Sequence, residues 1–284
     1  MSFLNKSKER EKMKTLKMSW AAVTVLLVTA SVVCAQDQGL VMAHRGGSYE
    51  FDENTLAAFL GSYEKGLRGF ETDARMTKDG ELVILHDAAP DRTYEGVTGR
   101  VEEKNAAELR GLKTKQSGQP FLFLDDLLAA FADKPGVYFE FEMKTDKDFY
   151  PDEVLETYCK KLYDRVTAKR PEGSFYVFTS FDQRPLKVIK RLDPQADVMF
   201  ISGGPCTEEL VKTAQELGAK RVACGIDQTS RAQVRNAQKA GLRVNVWPGH
   251  TVADYELGMA LGADVLCTDI PVKVMEWKNS KKSD

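Results

Sequence analysis

Phe70-Glu71-Thr72-Asp73-Ala74-Arg75-Met76 runs through Thr77-Lys78-Asp79-Gly80 into Leu82-Val83-Ile84-Leu85-His86-Asp87, a pattern that predicts strand, tight turn and strand. Side chains alternate across a strand, so Glu71 and Asp73 share a face, and the turn returns His86 toward them. Two ionised carboxylates on an inward face need a compensating cation, because desolvating unpaired charge is costly. The stretch therefore asks for a metal ion. The other reading of these residues is a solvated edge strand with a hydrogen-bonded core histidine.

The surrounding chain favours an inward face. From Leu40 onward, short apolar runs alternate with amphipathic stretches, the sign of repeated β–α units and a parallel sheet. Strands are expected at Leu40 to Ala43, in the hairpin, at Val137 to Lys144, and near Phe175 to Thr179, Val198 to Ile201, Arg221 to Gly225, Val244 to Trp247 and Val265 to Thr268. The first helix carries Leu56, Phe59, Leu60 and Tyr63 on one face, with Asp52 or Asn54 as its cap. Gly218, Gly241 and Gly262 fall where later helices should end. A polar connection from Pro90 to Gln119, with one short helix near Asn105 to Leu112, interrupts the rhythm without the apolar content of a separate domain.

Eight such units predict an α/β fold, a single-domain (β/α)8 TIM barrel with its site at the carboxyl ends of the strands. An open doubly wound sheet would want a glycine-rich phosphate loop opening a helix, and the sequence has none. In a barrel, Val137, Phe139, Phe141 and Met143 would meet the helices, leaving Glu140, Glu142 and Lys144 toward the interior mouth.

With 284 residues, 43% hydrophobic and 29% charged, the chain is long enough to bury a full core. A basic segment ending in Lys14-Thr15-Leu16-Lys17 precedes an apolar run from Trp20 to Val33 and the small-residue pattern Val33-Cys34-Ala35. The run is short for a membrane span, so residues 1–35 are read as a cleaved signal peptide and 36–284 as the barrel, exported to a periplasmic or secreted location. An uncleaved anchor is the alternative. Cleavage removes six Lys/Arg and two Asp/Glu, leaving 34 against 40, a net charge of −6 with no electrostatic footprint for nucleic acid. The remaining cysteines, Cys159, Cys206, Cys224 and Cys267, lack metal-ligand spacing and are expected to be free and buried.

His44-Arg45-Gly46-Gly47 ends the first strand and so reaches the same mouth as Glu71, Asp73, Glu142 and Lys144. Two of the three histidines, His44 and His86, meet there, suited to divide general acid and base work. Arg45 and Lys144 supply positive charge suited to a phosphate.

His44-Arg45-Gly46, Glu53-Asn54-Thr55, Glu71-Thr72-Asp73, Thr77-Lys78-Asp79-Gly80, His86-Asp87 and Glu142-Met143-Lys144 together resemble the glycerophosphodiester phosphodiesterase family. Pro120 to Asp125, Thr179-Ser180-Phe181-Asp182 and Trp247 extend the likeness over most of the mature chain. The resemblance implies a (β/α)8 barrel hydrolysing small-molecule glycerophosphodiesters to glycerol 3-phosphate and an alcohol with one divalent cation. It places Glu71, Asp73 and Glu142 on the metal, His44 and His86 as the acid–base pair, and Arg45 and Lys144 on the phosphate. Oxygen ligation favours Mg²⁺ or Ca²⁺. An adjacent glycerol hydroxyl as nucleophile, giving a cyclic phosphate, is a feature associated with this family. Glu53 is a candidate to hold Arg45 or touch substrate, and Trp247 to wall the glycerol.

Three departures stand out. Glu140 replaces a commonly neutral residue, Pro248-Gly249-His250 replaces the usual residues after Trp247, and Tyr94 replaces a common Thr. They leave the substrate open, with another lipid-derived or phosphoinositide diester as one alternative and an inactive headgroup-binding barrel as another. The mature chain is expected to begin near Gln36. Mass spectrometry of the exported protein checks this, and an intact amino terminus held in the membrane would contradict it.

Overall fold

The computed structural model describes residues 39–281, so the expected signal peptide lies outside the described residues. Among these residues eight parallel strands close into a ring. The first, β1 (Leu40–Ala43), pairs with β2 (Gly69–Met76) on one side and β9 (Val265–Thr268) on the other. Between them stand β4 (Tyr138–Met143), β5 (Phe175–Ser180), β6 (Val198–Ile201), β7 (Arg221–Gly225) and β8 (Arg243–Gly249) in chain order. The return strand of the hairpin, β3 (Leu82–Ile84), lies antiparallel on β2 with Ala74 opposite Ile84. Leu85 extends that pairing through its amide to the Asp73 carbonyl, which brings His86 back to the level of the carboxylates.

The β4 alternation sorts as expected. Val137, Phe139, Phe141 and Met143 join the outer core under the helices, where the Phe139 ring sits 5.0 Å from both Phe70 and Phe131. The barrel interior holds Met42, Tyr138, Val177, Met199, Ala223 and Cys267. Gly218, Gly241 and Gly262 follow α6 (Glu208–Glu216), α7 (Arg231–Lys239) and α8 (Val252–Leu261) with φ of +66°, +88° and +82°, left-handed turns that release each helix toward the next strand. All four described cysteines are free and buried.

Two local expectations change. The cap of α1 (Leu56–Glu64) is Thr55, whose hydroxyl accepts from the Ala58 amide at 3.2 Å. Asp52 instead accepts from the Thr114 hydroxyl and from Ser117, fastening the first loop to the insertion. Asn54, at φ +55°, donates its side-chain amide to Asp73 at 2.7 Å and accepts the Thr72 hydroxyl on its Oδ1 at 3.1 Å, so the oxygen a cap would use is already engaged. The Pro90–Gln119 connection is also richer than one helix. Besides α2 (Ala106–Leu109) it contains 3₁₀ turns at Pro90–Arg92 and Val101–Glu103, packed on a small core of Tyr94, Val101, Leu109, Phe121 and Phe123 beneath Leu85. Its apolar residues follow no single period, which hid that core from a pattern reading.

Phe139→Ala is expected to lower stability by about 3–5 kcal/mol, the range for a fully buried aromatic. Denaturant unfolding checks this, and a loss below about 1 kcal/mol would place the ring outside a packed layer.

Candidate active site

β1 ends in a one-turn 3₁₀ segment, His44–Gly46, that folds the chain over the end of β2. Arg45 takes a left-handed backbone at φ +52°, which aims its amide at Glu71 Oε2, 3.0 Å away. A Cβ at Gly46 would stand 2.8 Å from Ala58 Cβ, so the close approach of this turn to α1 requires glycine.

Glu71 and Asp73 on β2 and Glu142 on β4, with Asp73 and Glu142 in register, offer carboxylate oxygens all within 4.8 Å of one another. All three are buried. Lys144 Nζ lies 2.5 Å from Glu142 and 3.1 Å from Asp73, and Arg45 Nε lies 3.7 Å from Asp73. Desolvation, with Asp73 and Glu142 alongside, pushes the Glu71 carboxyl well above its usual range, and burial also raises Glu142. Asp73 goes the other way: although burial opposes it, Lys144, His86, Arg45 and the Asn54 hydrogen bond hold it low. Glu71 Oε1 is buried with no hydrogen-bond partner. An oxygen-lined, charge-rich cluster with an unused acceptor fits a hard divalent cation. His44, Glu71 and Cys267 form a second possible group, but burial drives the Cys267 thiol well above its normal pKa, so it is the poorer ligand set.

Both expected imidazoles line the same cleft. His86 Nδ1 lies 2.8 Å from Asp87. Burial lowers the His86 pKa below the ordinary imidazole value, outweighing the pull of Asp73. His44 Nδ1 lies 2.5 Å from Asp269 Oδ1, and its Nε2 lies 3.9 Å from Glu71. A carboxylate only accepts, so the proton of that bond sits on Nδ1 and Nε2 is turned to the cleft side where Glu71 stands.

Asp269 escaped the sequence reading. It follows the last strand in Thr268-Asp269-Ile270-Pro271, and its place at the carboxyl end of a barrel strand is the signal that could have found it. It also receives the Ser48 hydroxyl and, on Oδ2, His250 Nδ1 at 2.6 Å. Burial works against its charge, but His44, Ser48 and His250 hold its pKa below the usual carboxylate range. Thus His250 stands at the mouth, stacked on the exposed Tyr49 ring at 5.2 Å, and is joined to His44 through one carboxylate. Arg92 was missed too. It pairs with Glu53 and Asp87, and Glu53 also receives Arg45 at 3.3 Å. Trp247 lines the cleft edge-on to Phe181 at 5.7 Å. Glu140, in register with Glu71 and two residues deeper than Glu142, is turned away to Tyr138 and Asn245, whose hydroxyl and amide it accepts, with burial pushing its pKa up to about 7. Tyr94 is far from such chemistry, packed 4.7 Å from Phe121 in the insertion core.

A closed parallel barrel carrying carboxylates, two imidazoles and two basic side chains at its mouth is equipped for acid–base chemistry on an anionic substrate. Residues 44–273 match the glycerophosphoryl diester phosphodiesterase family, and the chain belongs to that family. A glycerophosphodiester phosphodiesterase of Caldanaerobacter subterraneus is 29% identical over 82% of this chain and 94% of its own. One from Bacillus subtilis is 22% identical over 89% of this chain and 91% of its own. Among solved structures, an Oleispira antarctica phosphodiesterase in complex with the product sn-glycerol-3-phosphate superposes with a TM-score of 0.77 at 21% identity, covering 85% of this chain and 97% of that one. A Parabacteroides distasonis glycerophosphodiester phosphodiesterase gives a TM-score of 0.69 at 21% identity, with 87% and 100% covered.

Asp269→Asn is expected to lower kcat by about 10²–10⁴ with the fold retained, because an amide no longer fixes the His44 tautomer. Steady-state kinetics beside thermal unfolding check this. Unchanged kcat would show that the bond to His44 is structural.

Proposed function

We propose that this enzyme hydrolyses glycerophosphodiesters to glycerol 3-phosphate and an alcohol, by acid–base catalysis between His44 and His86 beside one divalent cation. The observation that carries this reading is the convergence, in one cleft, of both imidazoles with the buried Glu71, Asp73 and Glu142 cluster and its two basic partners. The names of the curated relatives point to the same substrate class.

Glu71, Asp73 and Glu142 would hold the cation, Mg²⁺ or Ca²⁺ by their all-oxygen donor set. When bound, such an ion neutralises charge developing on phosphoryl oxygens. The remaining work belongs to the protein. Arg45 and Lys144, already at the carboxylate cluster, orient the phosphate and offset its charge. Glu53 keeps Arg45 aimed inward, and Arg92 fixes Glu53 from outside. One imidazole removes the proton of the attacking glyceryl hydroxyl while the other protonates the leaving alcohol oxygen, giving a cyclic phosphate; with the two roles reversed, water then opens that ring to glycerol 3-phosphate and both imidazoles return to their starting protonation. Asp269 and Asp87 hold the two rings by their Nδ1 atoms, which leaves each Nε2 for proton transfer. Phe181 and Trp247 limit water on one side of the cleft. Export through cleavage near Gln36 would put this activity outside the cytoplasm.

Activity should disappear in chelator and return with Mg²⁺ or Ca²⁺, and Glu142→Gln should bind the ion at least about tenfold more weakly, since one of three anionic ligands becomes neutral. Full turnover in chelator would contradict the cation site. His44→Ala and His86→Ala should each lower kcat on glycerophosphocholine by about 10²–10⁴. On a nitrophenyl diester, whose leaving group needs little protonation, only the variant lacking the base should stay impaired. Equal impairment of both on that substrate would contradict separate roles.

A further inference from the structure

Level with Glu71 and below Asp73 and Glu142, the cleft reaches groups that take no part in the proton transfers. β8 places Asn245 and Trp247, two residues apart, on the cleft wall, and Glu140 joins them from β4. Glu140 Oε1 accepts from the Tyr138 hydroxyl at 2.5 Å and from Asn245 Nδ2. That bond commits the amide end of Asn245, which is 1% exposed, and leaves its Oδ1 buried with no hydrogen-bond partner. Trp247 Nε1 is likewise buried without a hydrogen-bond partner. Buried polar atoms are rarely left unpaired, and two on one strand face beside a cleft point to a ligand that supplies what they lack.

The two atoms differ in kind. Asn245 offers an acceptor and Trp247 a donor, and an alcohol is the small group that satisfies both at once, since its hydrogen donates while its oxygen accepts. Ala223 and Met42 line the same space and would meet carbon-bound hydrogens. Glu140 Oε2, outside the two bonds that Oε1 accepts, adds another acceptor for a hydroxyl. By depth this floor lies next to the phosphate cluster, two residues below Glu142 on the same strand face, within the span of a three-carbon polyol.

We propose that Glu140, Asn245 and Trp247 form a hydroxyl-recognition subsite for the glyceryl arm of the diester, an inference that rests on the substrate reading above. The departure at Glu140 is then a specificity feature, since it orients Asn245 for the task. A site that hydrogen-bonds a substrate hydroxyl discriminates steeply against analogues lacking it, because its own groups are then left unpaired.

The test compares kcat/KM for glycerophosphocholine with that for methyl p-nitrophenyl phosphate, which has no hydroxyl, in the wild type, Glu140→Leu and Asn245→Leu. Each substitution should cut the ratio by about tenfold to a hundredfold, with glycerophosphocholine carrying the loss. A ratio unchanged within about twofold in folded variants overturns the subsite alone. Should neither variant fold, inhibition of the wild type decides: glycerol 3-phosphate should bind at least about tenfold more tightly than propyl phosphate, and equal inhibition overturns the proposal. A wild type that hydrolyses no glycerophosphodiester would overturn the substrate reading and the subsite with it.

Discussion

Three buried carboxylates within 4.8 Å of one another are the constraint around which the mouth of this barrel is built. Two like charges about 4 Å apart repel by about 4 kcal/mol even at a surface-like effective dielectric, and burial adds desolvation to that. The neighbouring groups answer this cost. Lys144 and Arg45 bring positive charge to Asp73, Asn54 donates to it, and the Arg45 amide donates to Glu71. The left-handed backbones of Arg45 and Asn54 make sense in this light, since both deliver donors to the cluster. Glu71 Oε1 is still without a partner, and a divalent cation is the group that would use it.

Around that cluster the fold supplies rigidity. The closed ring fixes Asp73 opposite Glu142 by strand register, and the outer aromatic layer of Phe59, Phe70, Phe131 and Phe139 anchors the same two strands from behind. The first loop is tied to the insertion by Asp52, and Arg92 from the insertion clamps Glu53 and Asp87. The two imidazoles are thus held from opposite sides of the mouth, His44 through the last strand and His86 through its own neighbour.

Strands and the carboxylate cluster were legible because they rest on local rules. Alternation on Val137 to Lys144 and the spacing of Glu71 and Asp73 report a face directly, and the hairpin needs only a turn between two apolar runs. Asp269 was not legible: its meaning arises when β9 closes against β1 and carries a lone carboxylate to His44, an encounter between residues 225 apart. Arg92 is hidden for the same reason, 39 residues from Glu53. The cap of α1 was misread because Asp52, Asn54 and Thr55 are all good caps by type, and only the tertiary pull of Asp73 and Thr114 on the first two leaves the task to Thr55.

Calorimetric titration of Mg²⁺ and Ca²⁺ into the metal-stripped wild type and Asp73→Asn tests most directly whether the carboxylate cluster is a cation site. One ion should bind per chain to the wild type, raising its unfolding temperature, and the variant should bind at least about tenfold more weakly. Wild-type protein that takes up neither ion, or a variant that binds as tightly as the wild type, would contradict the site.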